Sequence, residues 1–266
     1  MKKQIREMEY MTVYQYEDLL YDIKELGIIE TDTILVHSSM KAIGEVQGGA
    51  DTVLDALMSS VKKGMLLLPT HTWATMTKEH NVYDRDVEPA CVGILPNLFR
   101  KREGVIRSLH PTHSLAAYGQ GAKEFVSGEE LQTTPCSRSG CYGKLYDRNA
   151  KILLLGCGLN RNTYMHGVEE WFGIKERLTD ETLPLKIVMP DGSLKSVNMH
   201  KHYKPNNISI SEYYVKAEKP FLQLGLLKKG YIGDAGCMVM NAKEIADVCT
   251  GWLKENKDVF TDLKEI

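Results

Sequence analysis

The sequence has no run of eighteen apolar residues, so no membrane-spanning helix is expected and a membrane partner falls away. The early lysines of MKKQIREMEYM have no apolar stretch behind them, so this segment does not read as a secretory signal. No CxxC pair occurs among Cys91, Cys136, Cys141, Cys157, Cys237 and Cys249; without an export signal they read as reduced thiols of a cytoplasmic protein. Neither sign of charge prevails. The 33 basic and 35 acidic residues leave a net charge of −2, whereas a nucleic-acid partner would require a basic surplus or stripe. Repeats and low-complexity linkers are lacking too, so nothing divides the chain and a single domain over 1–266 is expected. What is present is core material: 43% of the residues are hydrophobic, enough to bury one large interior.

Apolar residues of TVYQYEDLLYDIKEL (12–26) recur at helical spacing, with Thr12 as the expected N-cap and Gly27 as the stop. The β-branched run TDTILVHSS reads as a buried strand, GGADTVLDALMSSV as a helix and KKGMLLLPT as another strand. VGILPNLFRKR and GAKEFVSG look helical, HSLAAYG strand-like, and AKILLLGCG (150–158) is a continuous apolar strand closed by glycines. TYMHGVEEWFGI then reads as a helix. LPLKIVMPDGSLKSVNMHKH reads as a hairpin turning at Pro190-Asp191-Gly192, and Asn241 to Glu244 as a capping-box opening of a last helix. Alternation of this kind builds an α/β protein, a sandwich of helices around a mixed sheet.

Four segments could carry chemistry. In LVHSSMKAIGEVQGGADTV a strand ends in His37-Ser38-Ser39 and a glycine pair precedes the next helix. Hydroxyls and exposed backbone N–H groups at such a turn suit a phosphate, though a plain connecting loop has the same composition. The segment Ile106 to Ser114 sets an arginine, two histidines and hydroxyls just before a strand. His166 lies three and four residues before Glu169 and Glu170, on a shared helical face where a carboxylate can orient an imidazole. Cys136, with His200 and His202 of the hairpin, would make a thiol–imidazole nucleophile if they meet, although a lone cysteine is more often packing. Trp73 and Trp171 are expected in the core.

Taken in order, VHSSMKAIGEVQGGADTVLDAL, GMLLLPT, RSLHPTHSLAAYG and GKLYDRNAKILLLGCGLNRNTYMHGVEE resemble the aminoglycoside 3-N-acetyltransferase family over roughly residues 15–175, with a weaker echo to YIGDAGCMVM. The resemblance implies a three-layer α/β/α fold with a central mixed sheet, distinct from the commoner acetyltransferase architecture. It implies an enzyme that uses acetyl-CoA as co-substrate and an amine-bearing small molecule, by default an aminoglycoside acetylated at its 3-N position, as acceptor, as in antibiotic resistance. It leaves a homodimer open. By the same resemblance His37, Ser38, Ser39, Met40, Lys41 and Gly44 would lie near the pyrophosphate and pantetheine of CoA. Ser108, His110, Pro111 and Ser114 would line the same co-substrate, and His166 and Glu169 the acceptor side.

The chain departs from the family pattern in two places. Cys136 stands where many members carry a histidine, and His200 and His202 where they tend to show an acidic pair. Such exchanges alter the charge of a pocket built for a polycation, and its mechanism. A direct transfer would use His166 or His200 as base, with Glu169 orienting it. A ping-pong scheme, on this or a different amine acceptor, would acylate Cys136 with His200 or His202 activating it. A zinc site from Cys136, His166, His200 and His202 ranks last on its irregular spacing, so no metal is expected. A CoA-binding protein without catalysis is the alternative from another class.

Overall fold

The computed structural model describes residues 12–203, 208–262 and 264–266, so the MKKQIREMEYM segment lies outside the described residues. The chain opens with a short strand β1 (Val13–Tyr14) and helix α1 (Tyr16–Glu25). Thr12 is therefore not the N-cap. Residues 13 and 14 are held extended by parallel pairing with β3 (Glu45–Val46), which delays the helix to Gln15, whose backbone N–H donates to the Asp18 carboxylate at 2.8 Å. Gly27 does end the helix: it takes φ +86°, a left-handed conformation that costs a side-chain-free residue little.

Between them run β2 (Thr33–Ser38), α2 (Gly49–Ser60), β4 (Met65–Pro69), β5 (Val82–Tyr83) and α3 (Ile94–Phe99). Then come β6 (Ile106–Arg107), β7 (Leu115–Gly119), α4 (Ala122–Phe125), α5 (Cys141–Asp147), β8 (Lys151–Leu155) and α6 (Thr163–Phe172). The last third supplies β9 (Leu183–Val188), β10 (Leu194–Met199), α7 (Glu218–Gln223), β11 (Leu227–Ile232), β12 (Ala235–Asn241) and α8 (Ala242–Glu255). Asn241 caps α8, its side-chain oxygen accepting from the Glu244 amide at 3.1 Å.

Seven strands form one mixed sheet in the order β11-β12-β8-β2-β4-β7-β6. The central trio β8, β2 and β4 is parallel, and every other pairing in it is antiparallel. The middle of each strand of the trio, Ile34 to Val36, Met65 to Leu68 and Ile152 to Leu155, is apolar because both faces are covered, as buried parallel strands require. Alternate residues feed two separate cores. Leu35, Leu67, Ile152 and Leu154 pack with Tyr142, Met165, Val168, Ile245 and Leu253 from α5, α6 and α8. Ile34, Val36, Leu66, Leu68, Leu153 and Leu155 pack with Leu19, Ile23, Leu54, Leu57 and Phe99 from α1, α2 and α3 on the other face. Helices on both faces make three layers, α/β/α.

A second sheet, β10-β9-β5, has its own small core around Tyr83, Leu109, Leu185, Ile187 and Met199. The hairpin is β9–β10, in register from Leu183↔Met199 to Val188↔Leu194, and it carries the chain to His200 and His202. Among the described residues no helix is long and apolar enough to cross a membrane.

Candidate active site

The neighbours of β2 decide where a ligand can enter. β4 follows it on one side and β8 joins from the far half of the chain on the other, all three running the same way. Connections leaving such strands diverge, and a crevice opens beyond their carboxyl ends. A cleft of about 1150 Å³ lies there, walled by His37, Ser38 and Ser39 at the end of β2, by Pro69, His71 and Trp73 at and beyond the end of β4, and by Cys157, Asn160 and Arg161 after β8. Thr112 and His113 enter from the turn before β7, Thr163 and His166 from α6, and Thr179, His200, Lys201 and His202 from the segments that flank the β9–β10 hairpin. A smaller dent of about 340 Å³ beside Lys63 and Arg148 lies apart from these groups.

Of the residues expected to hold CoA, His37, Ser38 and Ser39 line this cleft. Met40 and Lys41 continue into a 3-10 turn and Gly44 packs against the Asp234 carboxylate, so these three stand off the lining. Ser108, His110, Pro111 and Ser114 are buried behind the wall rather than on it. Ser108 Oγ accepts from the Leu115 amide at 3.1 Å, Ser114 Oγ donates to the Thr70 carbonyl at 2.8 Å, and the Pro111 carbonyl accepts from Thr72 Oγ1 at 2.6 Å. His110 Nδ1 accepts from the amides of Thr112 and His113, which makes Nε2 its donor to the Thr134 carbonyl at 3.0 Å. Their backbone polar groups need partners in the interior. The segment meets that need by folding into a rigid turn that presents Thr112 and His113 instead.

Imidazoles dominate the lining. His71 and His113 have ring centroids 4.7 Å apart, His113 and His202 5.0 Å, and His202 stacks on His166 at 4.1 Å. His71 Nε2 meets the Tyr142 hydroxyl at 2.7 Å. Burial pushes His37 down to about 4 and His71 and His113 well below the ordinary histidine value, which favours the neutral form of these three rings. His37 Nε2 is buried without a hydrogen-bond partner among the described residues. Trp73 stands half-exposed on the rim rather than in the core, whereas Trp171 is packed and donates to the Cys136 carbonyl at 2.7 Å.

His166 has the surroundings of a base, and a hydrogen-bonded link runs from it to Glu169 through Tyr214. The Tyr214 hydroxyl lies between them, 2.8 Å from His166 Nδ1 and donating to the Glu169 carboxylate. Arg177 Nε donates to the other Glu169 oxygen at 2.5 Å, and this ion pair is almost wholly buried. Burial raises the Glu169 carboxyl and both partners oppose it.

Cys136 is placed less favourably. It is fully buried, outside the cleft lining, and its Sγ–H points at the Thr163 carbonyl 3.7 Å away. Burial and the negative charges of Glu170 and Glu129 push the thiol well above its ordinary value, opposite to what a thiolate nucleophile needs. The ping-pong route through Cys136 is therefore not favoured. Glu170 accepts from the Cys136 amide at 3.1 Å and from the Thr134 hydroxyl, and burial pushes its carboxyl up to about 7. His202 comes near: one ligand atom each of Cys136, Glu170 and His202 lies within 4.8 Å of the others. To hold a metal, that trio would have to ionise a thiol made hard to ionise and draw Glu170 from two donors. His200 is turned elsewhere, donating from Nδ1 to the Thr179 carbonyl at 2.7 Å. The thiols on the cleft wall are Cys91 and Cys157, and burial pushes both up, Cys157 to about 11.

A crevice at the ends of parallel strands, walled by imidazoles, one of them linked through a phenol to a buried carboxylate, is the build of an α/β group-transfer enzyme. Residues 35–254 match the aminoglycoside 3-N-acetyltransferase family, and the chain belongs to that family. Similar proteins include the SPbeta prophage-derived aminoglycoside N(3')-acetyltransferase-like protein YokD of Bacillus subtilis, 25% identical over 90% of this chain and 92% of that one. Aminoglycoside N(3)-acetyltransferase VII of Streptomyces paromomycinus is 26% identical over 89% and 90%. The solved binary complex of AAC-IIIb with CoASH superposes with a TM-score of 0.80, covering 92% of this chain and 97% of that one at 24% identity, and shares the fold.

Proposed function

We propose that this chain transfers the acetyl group of acetyl-CoA to the 3-amino group of an aminoglycoside, directly and with His166 as the base. The reading is carried by one observation: among the cleft-lining residues His166 has a hydrogen-bonded connection to a buried carboxylate, through Tyr214 to Glu169. Relatives named as aminoglycoside N(3)-acetyltransferases and a relative that holds CoA support the substrates. The cleft suits them. It has the volume for a long thioester arm and an acceptor together, and the unpartnered His37 Nε2 and the seryl strand end at Ser38 and Ser39 offer polar groups to the CoA side.

In this mechanism His166 takes a proton from the acceptor amine as its nitrogen attacks the thioester carbonyl. The C–N bond forms, the C–S bond breaks, and the departing CoA sulfur receives the proton. Ser38, Ser39 and Arg161 flank the incoming CoA, and Thr112 and His113 line the same cleft. The whole chain acts as one transferase domain. A cytoplasmic setting is supported by all six cysteines being free thiols.

The test is release of free CoA from acetyl-CoA with and without a panel of deoxystreptamine aminoglycosides. Drug-dependent release is expected, and His166→Ala should reduce kcat about 10²- to 10⁴-fold, the usual range for a general base. Release that ignores every drug would overturn the acceptor. A His166→Ala enzyme at wild-type rate would overturn the base.

A further inference from the structure

A phenol hydroxyl has a single proton, and two neighbours compete for that of Tyr214. Glu169 takes it, because the buried Arg177 guanidinium beside the carboxylate would be left uncompensated if Glu169 were neutral. With its proton committed, the Tyr214 oxygen can only accept from His166 Nδ1–H, 2.8 Å away. The bond made at one ring nitrogen decides the chemistry of the other. We propose that Tyr214 is a positioning residue of this active site, a phenol set between carboxylate and imidazole that fixes His166 with its proton on Nδ1 and its basic electron pair on Nε2. The inference rests on the reading of His166 as base.

The fold gives this arrangement its rigidity. Glu169 lies on the same helical face as His166 in α6, yet its carboxylate is drawn toward Arg177, and the segment Ile210–Ala217 brings Tyr214 into the space between. The Tyr214 ring is fully buried and packs edge-on against Phe260 at 5.3 Å, so the hydroxyl has little freedom to turn away. Burial and the Glu169 charge both push the phenol well above its ordinary value, which keeps it a donor throughout turnover. When His166 takes up the acceptor's proton, the imidazolium is stabilised through Tyr214 by the Glu169 charge at one remove.

Tyr214→Phe removes one oxygen and leaves the ring packing in place. It should reduce kcat about 10- to 100-fold, as losing a group that orients a catalytic imidazole does, with KM for both substrates unchanged. The acidic limb of the kcat/KM profile should move to lower pH, since the protonated imidazole loses what stabilises it. Glu169→Gln should move the limb the same way, and the double variant no further. A limb that stays put in Tyr214→Phe, or a loss carried by KM alone, overturns the proposal. Nitrogen-15 spectra of the imidazoles give a readout that needs no turnover: neutral His166 should carry its proton on Nδ1 in the wild type and shift toward Nε2–H in Tyr214→Phe. An Nε2–H wild type overturns the tautomer assignment even if the variant fails to fold. Absence of drug-dependent acetylation would count against the proposed function instead and leave the spectra to decide the role of Tyr214.

Discussion

Cys136 and His166 sit on neighbouring elements and differ in what surrounds them. The thiol is buried beside carboxylates, so Cys136→Ala should leave kcat within about threefold and cost about 1–2 kcal/mol of stability from lost packing. Intact-mass analysis after mixing with acetyl-CoA should show no acyl adduct at this residue, and an adduct would restore the covalent route. Arg177 is the opposite case. Its partner Glu169 is wholly buried, so Arg177→Met leaves a carboxylate uncompensated and should cost about 3–5 kcal/mol, read as a fall in denaturant midpoint at unchanged slope.

At the scale of elements, helix spacing put His166, Glu169 and Glu170 on one face of α6, and the three side chains nevertheless serve three different neighbours. His166 turns to the cleft and Tyr214, Glu169 to Arg177, and Glu170 to Thr134 and the Cys136 amide. Periodicity gives the face of a helix but not what packs on it. The hairpin was legible for the same kind of reason, alternation interrupted by Pro-Asp-Gly, while the direction in which His200 and His202 leave it was not. The last helix offers a direct check on a local signal. Asn241→Ala removes the cap bond to the Glu244 amide and should cost about 1 kcal/mol, a Tm fall of about 2–4 °C by calorimetry.

For the whole molecule, the buried imidazoles govern the response to acid. His37, His71, His110 and His113 all have folded-state values depressed by burial, so the unfolded chain takes up protons at about pH 6.5 that the folded chain refuses. Each group opposes folding by about 1.4 kcal/mol per pH unit below that point until its own folded value is reached. Glu169 and Glu170 act the other way, because their raised values let the folded state hold a proton more readily. Four groups against two predict a urea midpoint that falls from pH 7.5 to pH 5, and a flat or rising midpoint would contradict it. Charge at the cleft makes a second prediction. Glu212 is the one carboxylate among the described lining residues and already accepts from Asn160, while Arg161 and Lys201 are cationic. Raising salt from about 0.05 to about 0.5 M should therefore change the acceptor KM by less than about threefold and raise that for acetyl-CoA more.

The sequence by itself determined the class of fold, the strands of the central trio and the family. These depend on local periodicity, turn residues and short motifs, which neighbours along the chain carry. It also pointed to His37, Ser38, Ser39 and His166, which line the cleft, since strand ends and helix starts are local features. Only the tertiary structure decided which of the named groups meet. Ser108, His110, Pro111 and Ser114 share a motif with Thr112 and His113 but turn inward to satisfy backbone and hydroxyl groups, leaving those two for the cleft. Tyr214 lies 48 residues from His166 and carries no spacing signal, yet it stands between the imidazole and its carboxylate. Contact across such separations is set by how whole layers pack, and that is the physical reason no reading along the chain could supply it.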